Sequence, residues 1–235
     1  ADLEAGKSAA LARAVSIVEN QRAGYDELMT RLHPNIGRAQ RLGITGPPGA
    51  GKSTVTNLIV QSLRQEGHTV GVIAVDPTSP FTGGALLGDR VRMESVALDP
   101  GVYIRSMATR GSLGGLSART AEVADVLDVF GFDRIIIETV GVGQTELDIA
   151  RTADTTVVVL VPESGDSIQT LKAGVMEIAD IFVVNKGDRP GADRLRNDIE
   201  LMLGLRRGSA GGVPAHHGVQ LKTFNPIRIA REAAR

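Results

Sequence analysis

From Arg41 onward the chain alternates short, nearly unbroken apolar runs with longer stretches of helical periodicity. The apolar runs fall at 41–45, 70–75, 102–105, 134–138, 155–161 and 181–185, and most are rich in Val and Ile. Between and after them, 52–66, 86–97, 116–130, 145–152, 167–178 and 191–203 read as helices. Apolar strands separated by helices predict a parallel sheet covered on both faces. Such an α/β sheet places ligands at the carboxyl ends of its strands. Residues 1–33 read as helical, with Leu11, Ala14, Val15, Val18 and Arg22 at helical spacing and His33-Pro34-Asn35 as the stop. The pattern divides the chain into a helical lead-in over 1–38, packed on a main domain over 39–204, and a tail over 205–235.

Composition narrows the class. At 42% hydrophobic and 23% charged, the 235 residues have what a folded core needs, and disorder as the main state is excluded. The 28 glycines predict turns and anion-binding loops. There is no Cys, so no disulfide or thiolate metal site can form, which fits a reducing cytoplasm. A net charge of −1 and 3% aromatic content argue against a general nucleic-acid or anionic-membrane binder. The apolar runs are too short to span a bilayer, and no secretory signal is recognisable.

The strongest chemical signal is Gly46-Pro47-Pro48-Gly49-Ala50-Gly51-Lys52-Ser53, a full G-x-x-x-x-G-K-[ST] match between a predicted strand and a predicted helix. Its glycines let backbone N–H groups wrap phosphate oxygens, and the helix N-terminus adds a positive dipole end. Lys52 is then expected at the β/γ-phosphates and the Ser53 hydroxyl on Mg²⁺. The bland alternative is a Gly-rich strand-to-helix turn. With this motif, the expected fold is a three-layer P-loop NTPase with a mostly parallel central sheet and an N-terminal helical lead-in.

Asn185-Lys186-Gly187-Asp188 ends the run at 181–185. N-K-x-D at a strand end reads guanine: the Asp carboxylate accepts from guanine N1–H and the 2-amino group, which adenine cannot match. Alone, four such residues also occur in surface turns; the spacing from the phosphate motif strengthens the reading. Glu138-Thr139-Val140-Gly141 stands where GTPases carry D-x-x-G, with an acid for Mg²⁺ and a Gly N–H for the γ-phosphate. The acid is one methylene longer, and Val142 occupies the place of the water-orienting Gln, with Gln144 two residues on. Slow intrinsic hydrolysis is expected. Glu138 read blandly is a strand-end carboxylate.

Asp76 ends the run at 70–75, and Asp89 lies in the Gly-rich stretch TGGALLGDR. Both are candidates for Mg²⁺ or the attacking water, in a loop able to move with the γ-phosphate; Asp89 alternatively caps the helix 86–97. Arg105 lies just before MATRGSLGG (107–115) and Arg110 within it, in a loop that could reach phosphate, face a partner or be an ordinary turn. His216-His217 lacks a sufficient ligand set for a metal, and His33 and His68 read as loop or surface residues.

Together GPPGAGKST, AVDPTSPFTGGALLGDRVRM, MATRGSLGGL, IIIETVGVGQTELDIA and VVNKGD resemble the MeaB/ArgK family, to which the methylmalonic aciduria type A protein belongs. The resemblance covers about residues 8–200. It implies a cytoplasmic GTP/GDP switch of the signal-recognition-particle and MinD class, acting as chaperone for an adenosylcobalamin-dependent methylmalonyl-CoA mutase or a related acyl-CoA mutase. Carried over, Gly46 to Thr54 and Gly141 bind phosphate, and Asn185, Lys186 and Asp188 bind guanine. Ser53, Asp76, Asp89 and Glu138 form the Mg²⁺ and switch region, and with Lys52 these acids form the catalytic set. Family members also carry a later S-A-x element behind the base and a helical dimerisation arm. Here Ser209-Ala210 is the one S-A pair in that stretch, and the homodimer arm is expected to be missing from 205–235. Competing readings are a P-loop kinase or ATPase of the arginine/ornithine transport type, a nickel metallochaperone and a weakly catalytic interaction module. NKGD opposes the first and the lack of Cys the second.

Overall fold

The computed structural model describes residues 3, 6–76, 93–108, 118–139, 148–162, 176–203 and 220–221. Seven strands form one sheet: β1 (Gln40–Thr45), β2 (Val70–Asp76), β3 (Val102–Ala108), β4 (Arg134–Thr139), β5 (Thr155–Leu160), β6 (Ile181–Val184) and β7 (Gln220–Leu221). Their order is β3-β2-β4-β1-β5-β6-β7, and every described pair is parallel. The apolar runs of the sequence are these strands, because a strand covered on both faces needs no polar alternation. In β4, Ile135 and Ile137 enter one core and Ile136 the other; in β5, Val157 and Val159 face one way and Val158 and Leu160 the opposite way.

The helices are α1 (Ser8–Asn20), α2 (Tyr25–Leu32), α3 (Lys52–Gln65), α4 (Glu94–Ala97), α5 (Ala118–Phe130) and α6 (Ala192–Met202), with a single turn at Met176–Ile178. On one face α3 and α4 bury Val55, Val60 and Val96 against Val72, Ile136 and Val159. On the other, α5 packs Val123 and Leu127 on Ile73, Ile135 and Ile137. Near the β5/β6 side, Leu195 and Ile199 of α6 meet Val158, Leu160 and Phe182.

The lead-in differs from one continuous helix. It breaks at Gln21, whose φ of 46° is left-handed, and restarts after Gly24 at φ 89°. Before the break the expected face is buried, with Leu11, Ala14, Val15 and Val18 against α5; Arg22, after it, is exposed. Arg105 of β3 is ion-paired with Glu19 of α1, and Tyr25 Oη donates to Glu122 Oε1 of α5 at 2.7 Å. Arg105 therefore ties the lead-in to the sheet rather than reaching for phosphate. Its partner in that expectation, Arg110, lies outside the described residues. The helix expected over 86–97 is seen at Glu94–Ala97, and the one expected over 145–152 is helical at 148–149 and runs into a hydrogen-bonded turn; residues 86–92 and 145–147 lie outside the described residues. His33 is exposed, and His68 Nε2 lies 3.9 Å from Glu66, both at the surface positions expected of them.

Asp128 fastens the entry to β1. Only 1% exposed, it accepts from the N–H groups of Gly37 (2.7 Å), Arg38 (3.1 Å) and Ala39 (3.0 Å) and from Arg41 Nη2 (3.4 Å). Asp128→Ala removes the acceptor for three buried or half-buried N–H donors. We expect a loss of about 3–5 kcal/mol, the range for breaking a buried charged network from one side. Thermal unfolding followed by circular dichroism should show a midpoint lower by roughly 10 °C. A change below about 2 °C would remove Asp128 from this role.

Candidate functional site

The site sits where the strand order turns back on itself: β1 has β4 on one side and β5 on the other. β1 ends at Thr45, and the chain from Gly46 to Gly51 wraps over the carboxyl end of the strand before α3 begins at Lys52. Two glycines are demanded by this path. Gly46 has φ 137°, and a Cβ there would lie 2.0 Å from the Val159 carbonyl oxygen of β5. Gly51, the residue before α3, has φ 87°, and a Cβ there would lie 2.4 Å from Asn185 Nδ2.

Lys52 is buried, and its ammonium donates to the carbonyls of Gly46 (2.9 Å) and Pro47 (3.0 Å). The loop thus curls around its own cation at the N-terminus of a 14-residue helix, the arrangement that holds phosphate. Pro48 and Gly49 are exposed at the loop's crest, Ala50 is buried beneath it, and Thr54 is exposed on the first turn of α3.

Within the first turn of α3 the chemistry changes from cationic to oxygen-rich. Ser53 Oγ donates to Glu138 Oε1 at 2.6 Å, and Thr56 Oγ1 donates to Glu138 Oε2 at 2.8 Å. Ser53 and Glu138 are both more than nine-tenths buried. Thr139 Oγ1, next in β4, donates to Thr45 Oγ1 at 2.8 Å, pinning the end of β4 to the residue that precedes the loop. A hydroxyl and a carboxylate beside a phosphate-binding helix end suit Mg²⁺, which takes few protein oxygens and completes its shell with phosphate and water. Among the described residues no group of three or more His, Asp or Glu converges to form an all-protein cage.

The segment expected to read guanine reaches the same place from β6. Asn185 N donates to the Leu160 carbonyl at 2.7 Å, and its side chain crosses to donate to the Ala50 carbonyl at 2.8 Å. Lys186 adopts a left-handed φ of 54° and donates from Nζ to the Gly49 carbonyl at 3.1 Å. Asp188 is exposed on the turn that follows. Two of the three residues expected to read the base therefore hold the 46–51 loop itself. That cross-brace depends on the strand order, and the linear spacing does not reveal it; Thr56 was likewise unmarked in the sequence, since a helical Thr after GKS has no motif of its own.

Asp76 closes β2 beside Ala108 of β3. Its side chain, and Asp89, Gly141, Gln144, His216 and His217, lie outside the described residues.

A family model described as methylmalonyl Co-A mutase-associated GTPase MeaB matches residues 11–223. The chain belongs to the MeaB family of P-loop GTPases. The match runs on past Leu203, where the resemblance was expected to fade. A GTPase-named protein of Pyrococcus horikoshii is 56% identical over 205 residues, 87% of this chain and 65% of its own length. The GTPase ArgK of Escherichia coli is 43% identical over 190 residues, 79% of this chain and 57% of its own. The mouse methylmalonic aciduria type A homolog, a mitochondrial protein, is 40% identical over 197 residues, 78% of this chain and 48% of its own. The chain thus spans from about half to 65% of the length of these MeaB-family relatives. A crystal structure described as the LAO/AO transport system kinase superposes with a TM-score of 0.72 at 30% identity, over 94% of this chain and 66% of that one. The hydrogenase maturation factor HypB of Archaeoglobus fulgidus shares the fold, with a TM-score of 0.53 at 18% identity over 81% of this chain and 85% of that one. No described helix is long and apolar enough to cross a membrane.

Proposed function

We propose that this chain binds GTP with Mg²⁺, hydrolyses it slowly, and uses the exchange as a switch that chaperones an adenosylcobalamin-dependent acyl-CoA mutase, methylmalonyl-CoA mutase being the first candidate. The observation that carries the nucleotide part is the brace from Asn185 and Lys186 to the Ala50 and Gly49 carbonyls. It sets the guanine-reading turn at a fixed offset from the phosphate loop, so base and phosphates are read together. The mutase part is supported by the family description and by the aciduria homolog.

In this reading the loop amides of 46–51 and the Lys52 ammonium take the β- and γ-phosphates, releasing the lysine from the Gly46 and Pro47 carbonyls. Ser53 Oγ and Glu138 hold Mg²⁺, which neutralises developing phosphate charge when bound. Asp76 and Asp89 are proposed to complete the Mg²⁺ and water region, with Gly141 donating to the γ-phosphate. Asp188 accepts from the guanine edge. With Val142 where a water-orienting Gln would stand, turnover without a partner is slow.

A Mg²⁺-dependent titration with non-hydrolysable GTP and ATP analogues tests this. Selective guanine binding supports the switch; equal or adenine-favouring binding supports a kinase or ATPase of the transport type; none leaves an interaction module. Lys52→Ala serves as the phosphate control and should weaken GTP by roughly 10- to 10²-fold, since a buried charge-assisted contact is lost where water cannot replace it. Unchanged affinity would remove Lys52 from the phosphate site.

A further inference from the structure

Thr56 carries a hydroxyl at the site that no phosphate, base or metal motif uses. It is fully buried in α3, one turn after Ser53 and on the same face, and its single proton goes to Glu138 Oε2 at 2.8 Å. A helical threonine usually turns its hydroxyl back to the carbonyl four residues earlier; this one reaches across to β4 instead.

The reason lies in the length of the acid. Glu138 has one more rotatable bond than the aspartate more common at this place, and the terminal torsion of a glutamate is broad. A contact at Oε1 alone leaves a carboxylate plane able to turn about it, and Ser53 is such a contact. A second donor at Oε2 pins both oxygens, and the Thr139–Thr45 bond of 2.8 Å fixes the backbone directly after it. We infer that Thr56 is a positioning residue for Mg²⁺: it sets the plane of the Glu138 carboxylate so that Oε1 and Ser53 Oγ are presented together. This inference rests on the GTP–Mg²⁺ reading above and adds to it a residue that acts through Glu138 without touching nucleotide.

The test uses the full chain and a fluorescent non-hydrolysable GTP analogue, titrated with Mg²⁺ and, separately, in EDTA. Thr56→Val keeps shape and loses the proton donor. Its Mg²⁺ midpoint should rise about tenfold, the scale of outer-shell partners of metal sites, while affinity in EDTA stays within about twofold. Thr56→Ser, which keeps the hydroxyl, should stay within about twofold of wild type in both. In a Glu138→Gln background, Thr56→Val should add no further shift. Should Thr56→Val fail to fold, Thr56→Cys replaces it, since a thiol is a weak donor of similar size. A Thr56→Val midpoint equal to wild type, an equal shift in the Glu138→Gln background, or Ser and Cys variants that behave alike would overturn the role of Thr56 and leave the GTPase reading standing. A wild-type chain without Mg²⁺-dependent GTP binding would overturn that reading and this inference with it.

Discussion

Gly46→Ala is expected to be the most damaging single-atom change in the phosphate loop. The added Cβ would stand 2.0 Å from the Val159 carbonyl oxygen, 3.0 Å from its carbon and 3.2 Å from its nitrogen. These are backbone atoms of β5, which is held between β1 and β6 and has nowhere to move. The φ of 137° adds strain for any side chain. Overpacking and backbone strain each cost about 1–3 kcal/mol, so about 2–6 kcal/mol together. That is a large share of the total stability of about 5–15 kcal/mol usual for a domain. Thermal unfolding should fall by roughly 10 °C or more, and GTP binding should be lost at temperatures where the chain is still folded. Gly49→Ala is the control: its φ is 75°, but nothing lies within 4 Å of the new Cβ, so strain alone acts. If both variants melt together and bind GTP alike, the close approach to β5 does not shape the loop.

Asp188→Asn is expected to exchange one base for another. Its carboxylate is exposed at the turn after Lys186, and in the proposed function it accepts two hydrogen bonds, from guanine N1–H and the 2-amino group. Each bond to a charged acceptor contributes about 1.5–3 kcal/mol, so GTP should weaken by roughly 10²- to 10⁴-fold. An amide offers a donor as well as an acceptor, and xanthine carries a carbonyl where guanine carries the amino group. Xanthosine triphosphate should therefore bind the variant more tightly than GTP does. Competition between the two nucleotides on wild type and variant measures this directly. A variant that still prefers GTP would mean that another group reads the base. The brace from Asn185 and Lys186 is untouched by the change, so phosphate binding and thermal stability should stay close to wild type.

Most strands and the sites of their turns were legible because a strand buried on both faces writes itself as an unbroken apolar run. Ile135-Ile136-Ile137 is an example: its residues enter cores on opposite faces of the sheet. The phosphate loop was legible for a related reason. Its chemistry is made by consecutive backbone amides, so spacing along the chain is spacing in the site. The lead-in was only partly legible. Its apolar periodicity named the buried face of α1 correctly, but the break at Gln21 carries no Pro or Gly at the left-handed residue itself. Arg105 misled because a cation near a Gly-rich loop suggests phosphate, whereas its neighbour across the packing is Glu19.

By itself the sequence determined the alternation of strand and helix, the parallel sheet and the phosphate loop, because each is a local pattern with a local physical cause. Only the tertiary structure decided which distant groups share a hydrogen bond. Strand order brings β6 within reach of the loop after β1, so Asn185 and Lys186 brace Ala50 and Gly49. The packing of α3 on β4 turns Thr56, silent in the sequence, into the second hold on Glu138. Hydrogen bonds act over about 3 Å, and no reading along the chain can say which residues a fold brings that close.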